Sequence, residues 1–133
     1  MRQDKIDIIK SYIETNVAPI LIDKVPLTAF PSAIVLEANC GINDLNGHYE
    51  GADFVPPIWY NQLLNVTDSK KVLIINGIDT IDLDEQSKFI EILKYRKVST
   101  FDLPDNTVII LLVSEIENKI SPEINANIAI IEV

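Results

Sequence analysis

Three groups of residues in this sequence are of types that could do chemistry. The first is Cys40 and His48, at the ends of a short stretch that contains Gly41 and Gly47. A thiol and an imidazole form a nucleophile and its base when a third group orients the imidazole and an oxyanion site faces the thiol. Only Asp44 and Asp53 are near enough in the chain to serve as orienters, and no supporting motif accompanies the pair. A cysteine at a strand end more often serves as a small buried hydrophobe. The second group is acidic: Asp79, Asp82, Asp84 and Glu85, within DTIDLDE. Carboxylates offer oxygen ligands to Mg²⁺ or Ca²⁺. The glycine and closing acid of an EF-hand loop are missing, however, and acids belong in a first helical turn, where the dipole favours them. The set therefore reads as a solvated loop leading into a helix, with weak cation binding as the alternative. His48 is the one histidine, so a multi-histidine metal site within one chain is excluded.

The third group would bind rather than react. Asp44 and His48 lie on a turn-rich segment where Asn43, Asp44 and Asn46 suit local backbone capping and Gly47 suits a positive φ. Trp59 and Tyr60 follow shortly after, and both residue types are enriched at interface hot spots. Asp44, His48, Trp59 and Tyr60 are the candidate protein-binding residues. Trp59 is expected to pack near Pro56 and Pro57, with Tyr60 more exposed.

Elements must hold these groups in place, and the composition permits them. The chain has 133 residues, 47% of them hydrophobic and 23% charged, which suits one packed domain across 1–133 rather than a disordered chain. A net charge of −9 disfavours nucleic acid and anionic membrane as partners. A single cysteine excludes an intramolecular disulfide and fits a reducing, cytoplasmic setting. No apolar run reaches the roughly 18 residues of a membrane span. The opening MRQDK leads into a charged amphipathic segment rather than a signal peptide.

The spacing of Ile6, Ile9 and Ile13 predicts a helix over 4–16, ended by Pro19. Ile20-Leu21-Ile22 reads as a buried strand and 33–38 (AIVLEA) as a second. Residues 24–32, with Pro26 and Pro31, are too broken for a packed helix. Residues 39–53 read as a loop. Pro56-Pro57 opens a helix over 58–64, since proline fits the first turn. KVLIIN at 71–76 and TVIILLV at 107–113 are continuous β-branched runs, as parallel strands buried on both faces require. A helix is predicted over 84–98, with Asp82 or Asp84 as N-cap and Phe89, Ile90, Ile92 and Leu93 on its apolar face. Ser121-Pro122-Glu123 starts a short helix, and 128–133 is a last strand. Strands alternating with helices imply a mostly parallel, three-layer α/β sheet of about five strands.

Residues 44–133 resemble the MoxR-like branch of the AAA+ ATPases. The resemblance rests on the order and spacing of DLNGHYEGADFVPPIWYNQLL, KVLIINGIDTIDLDEQSKFIEIL, YRKVSTFDLPDNTVIILLVSE and SPEINANIAIIEV. It implies a reduced P-loop-NTPase-like core with the 71–76 and 107–113 strands central and the 33–38 strand at an edge. It also implies where ATP machinery would sit. The Walker A loop falls on DKVPLTAFPS at 23–32, which has no glycine and only Lys24 as a cation. The Walker B acids fall on Asn76 and Gly77, the sensor 1 position near Ser114 and Glu115, and the arginine finger near Asn127. The helical lid with its sensor 2 arginine has no counterpart.

These departures leave phosphoryl transfer without cradle, metal ligand, water positioner or charge clamp. The expectation is a non-catalytic interaction module with no cofactor and no nucleotide, acting through a protein partner or a homo-oligomer. The missing crossover helix after the first strand should leave one sheet face thinly covered and open to a partner. Two other classes remain. One is a ligand- or metal-binding protein or enzyme that reuses the Cys40–His48 loop or the Asp79–Glu85 acids. The other is a phage or mobile-element inhibitor of a host protein.

Overall fold

A computed structural model describes residues 2–15, 18–115 and 119–130. The strongest β-formers make its centre. β1 (Ile20–Asp23), β2 (Ile34–Glu37), β5 (Lys71–Asn76), β8 (Thr107–Val113) and β9 (Ala129–Ile130) form one sheet in the order β2-β5-β8-β1-β9. Every pairing in it is parallel: Ile20 lies beside Ile110, Leu73 beside Ile109, and Ile34 beside Leu73. The 71–76 and 107–113 strands are central and the 33–38 strand is at an edge, as the resemblance implied. The last strand is described only as 129–130; residues 131–133 of the expected strand lie outside the described residues.

Alternation along β8 divides the core in two. Ile109, Leu111 and Val113 face one side, and Val108, Ile110 and Leu112 the other. The first side is covered by α3 (Ile58–Leu64), by the helical run α4 (Leu83–Gln86) and α5 (Ile90–Tyr95), and by α6 (Pro122–Asn125). The second is covered by α1 (Arg2–Thr15), through Ile6, Ile9 and Ile13, together with Val25 and Phe30. The expectation of a thinly covered face is therefore corrected. A helix that precedes β1 fills the layer that a crossover helix would otherwise fill. Residues 24–33 pass over β8 and β5 as a loop with one 3₁₀ turn at Leu27–Ala29. At the β2 edge this face stays open, where Val35 remains exposed.

Two further expectations change. Residues 39–53 are not a plain loop: they hold α2 (Ile42–Asn46) and the first strand of a hairpin, β3 (His48–Glu50) with β4 (Asp53–Val55). Buried Leu45 pins α2 to the core. Gly47 joins helix to hairpin at φ 82°, where a Cβ would lie 2.5 Å from the Val55 carbonyl oxygen, so only glycine fits. The helix predicted over 84–98 starts at Leu83, narrows to a 3₁₀ turn at Ser87–Phe89 and ends at Tyr95. Arg96 takes a left-handed φ of 55°, and its guanidinium donates to the carbonyls of Pro104 and Thr107. That turn sends the chain into a second hairpin, β6 (Lys97–Val98) with β7 (Phe101–Asp102).

Candidate functional site

The connections β1→β2 and β8→β9 leave the sheet in opposite directions, so the crevice between β1 and β8 at their C-terminal ends is a topological switch point. Open parallel sheets bind ligands there. A cleft of about 660 Å³ occupies this place, reached by Lys24, Glu37, Asn76, Gly77, Asp79 and Ser114. Its walls are acidic and tied together. The Asn76 amide donates to both Glu37 carboxylate oxygens at 3.2 and 3.3 Å, linking β2 to β5. The Ser114 N–H and hydroxyl donate to Asp79 Oδ2 at 3.2 and 2.7 Å, linking the end of β8 to the turn after β5. Below, Lys5 of α1 reaches Asp23 at the end of β1, 2.6 Å away and buried.

The resemblance places a Mg²⁺-nucleotide here. A phosphate chain needs converging N–H donors and cations. The loop after β1 instead offers Pro26 and a 3₁₀ turn of three residues, and no helix begins there. The nearest side chains include the Glu37 and Asp79 carboxylates, against Lys24 as the cation lining the cleft. Asn76 and Gly77 give a metal no carboxylate. The residues present do not fit that group.

The acidic candidates separate in space. Asp79 lines this cleft, whereas Asp84 and Glu85 line another, of about 400 Å³, beside Cys40 and Lys88. Glu85 is 3.6 Å from Lys88 Nζ. Asp82 holds the N-cap position of α4 without a side-chain capping bond. Among the described residues no three His, Cys, Asp or Glu side chains converge on a metal-sized site.

Cys40 and His48 line different clefts. Cys40 is half-buried, and burial raises its thiol pKa, with Lys88 opposing and Asp44 adding to the rise. A thiol held protonated is a poor nucleophile. His48 stands on the exposed hairpin, its Nε2 3.4 Å from Glu50 Oε1.

Asp44 and His48 do come together, in a groove of about 510 Å³ that runs along the outer edge of β2. Val35, Pro56 and Ile58 give it an apolar wall. Ile58 is 77% exposed and Val35 39%. Sequence reading missed these two. Ile58 is the first helical residue after Pro57, a position that points away from a helix's packed stripe, and Val35 sits between core-facing Ile34 and Leu36.

Trp59 packs, as expected, at 4% exposed, whereas Tyr60, expected to be the more exposed, is 7% exposed; both belong to the core, which corrects their reading as exposed anchors. Trp59 lines the bottom of the groove, and its Nε1 donates to the Leu45 carbonyl at 3.0 Å, which fixes α2. The Tyr60 hydroxyl donates to the Asp102 carbonyl at 2.8 Å. From Tyr60 the rings of Phe101, Phe54 and Tyr49 follow at centroid distances of 5.7, 5.5 and 5.2 Å, so one aromatic row joins both hairpins to the core. Tyr60→Phe should cost about 1 kcal/mol in urea unfolding, the usual net worth of one such hydrogen bond. It should also leave the β3–β4 hairpin in place by NMR.

No family model matches the chain, and no curated protein matches it. Solved structures do. One is a DNA polymerase III gamma subunit-related protein from Thermotoga maritima, 18% identical, with a TM-score of 0.56 over 97% of this chain. The chain spans 46% of that protein's length. At this identity the likeness concerns the fold alone. Together with the observed strand order it gives the architecture: a three-layer, parallel α/β sheet with the layout of an AAA+-like, P-loop-NTPase-like core.

Proposed function

We propose that this chain is a non-catalytic, AAA+-derived interaction module related to the MoxR-like branch, and that it works through a protein partner in the cytoplasm without binding or hydrolysing ATP. The observation that carries the reading is the chemistry of the switch-point cleft. Where a nucleotide site needs donors and cations, the strand ends carry the Glu37–Asn76 and Asp79–Ser114 pairs. These bonds stitch β2, β5 and β8 together. They turn a ligand crevice into structural cross-links, while the sheet keeps its plan. What remains available for function is surface, and the groove of about 510 Å³ beside β2 offers an exposed apolar wall. A chain of net charge −9 repels its own copies, which favours a different, more basic protein over self-association.

Calorimetric titration with ATP and ADP, each with and without Mg²⁺, tests the reading. No heat is expected up to about 1 mM ligand, that is, no binding better than about −4 kcal/mol. Mg²⁺-dependent binding that Lys24→Ala weakens would overturn it.

A further inference from the structure

We propose that the groove beside β2 receives an extended, basic segment of a partner polypeptide, which adds to β2 as a sixth strand of the sheet. The inference rests on the interaction-module reading above and names the partner's chemistry.

The backbone of β2 carries the argument. The Ala38 N–H donates to the Asn76 carbonyl of β5. In a parallel ladder the residues that bond one neighbour alternate with those that face the other side. Ile34 and Leu36 therefore share Ala38's direction, and Val35 and Glu37 face outward. The Glu37 carbonyl is taken by the Cys40 N–H at 3.1 Å. The Val35 N–H, the Val35 carbonyl and the Glu37 N–H meet no protein partner among the described residues. A donor, an acceptor and a second donor in strand register are what another extended backbone satisfies, and what a helix or a small ligand does not.

The side chains select further. Val35, on the α1 face, offers apolar contact for alternate residues of the incoming strand, and the residues between them meet Ile58 and Asp44 on the α3 face. Asp44 is the carboxylate lining the groove, and no Lys or Arg lines it. Glu50 lies beside His48 of the groove, 3.4 Å from its Nε2. An apolar residue alternating with Lys or Arg fits this surface; an acidic strand does not. A second copy of this chain would bring its own Glu37 and Asp44 to the same edge.

The experiment titrates the full chain with a short peptide of alternating Val and Lys. One control peptide is N-methylated at alternate amides, and another has Glu in place of Lys. Amide chemical shifts locate binding and fluorescence anisotropy measures it. The Val–Lys peptide is expected to shift the amides of residues 34–37, 44 and 58. N-methylation on the pairing edge and the Glu exchange should each weaken binding at least about tenfold. In the protein, Val35→Pro should abolish binding while the fold persists, because this N–H serves no ladder bond and proline is tolerated at an edge. Asp44→Asn should narrow the preference for Lys over Glu and leave folding alone.

Equal binding of all three peptides, shifts that map elsewhere, or no binding at all would overturn the proposal. So would a dimer that Val35→Pro dissolves in sedimentation, since the occupant would then be a second copy. A failure here with no heat from ATP leaves the interaction module standing with a different surface. Mg²⁺-dependent ATP binding would remove that reading whatever the peptides do.

Discussion

Replacing Gln86 by Leu is expected to destabilise the protein by about 3 kcal/mol, because one buried and three part-buried backbone groups would lose a partner, at a cost of about 1–3 kcal/mol for a buried group. Gln86 is fully buried and sits where the α4–α5 run meets two loops. Its two amide N–H groups donate to the carbonyls of Ile78 and Lys119 at 3.1 and 3.2 Å, with the Ile81 carbonyl sharing one of them at 3.4 Å. Its carbonyl oxygen accepts from the Ser121 N–H at 2.7 Å. One side chain thus holds the turn after β5 and the segment before α6. Leucine fills similar space and satisfies none of these groups. Gln86→Glu should be as harmful, since it sets a carboxylate against three carbonyls. Urea unfolding of both variants checks this; a loss below about 1 kcal/mol for either would show that water replaces the amide.

Lys5→Met is expected to cost about 4 kcal/mol, the range for breaking a buried ion pair by removing one partner. The Lys5 ammonium and the Asp23 carboxylate are 2.6 Å apart with side chains about nine-tenths buried. Desolvating both charges is unfavourable, and their attraction offsets it only while both are present. Removing Lys5 takes the ion-pair partner from the buried Asp23 carboxylate beneath the cleft. The double variant Lys5→Met with Asp23→Leu should recover most of the loss, and the full cycle isolates the coupling. If the double variant is no better than Lys5→Met alone, the pair contributes through packing of α1 and not through charge.

The sheet was legible in the sequence because its signal is local. KVLIIN and TVIILLV announce strands buried on both faces, and the Ile6, Ile9, Ile13 stripe announces the helix that covers one of them. The strand order came from resemblance to a known plan, not from periodicity. The rest was not local. Lys5 and Asp23 look like surface charges until β1 and α1 are packed together. Gln86 stands among acids and lysine and gives no sign that it will be enclosed. Trp59 and Tyr60 have the composition of an interface, and only the placement of Leu45 and Asp102 beside them makes them core. The groove is formed by an edge strand, a helix start and a hairpin, three segments that no window of sequence joins.

The position of β1 has a consequence for how the chain reaches this state. β1 lies between β8 and β9, with Ile20 beside Ile110 and Ala129. During synthesis Ile20, Leu21 and Ile22 emerge well before both of their neighbours. Pairing over such sequence separations is slow, because loop closure comes before any contact repays it. The β2-β5-β8 half can assemble from consecutive segments, whereas α1 and β1 must wait for it. Until then the apolar run of β1 and the isoleucine stripe of α1 lie open together, and they form the stretch of this protein most in need of a chaperone on the ribosome.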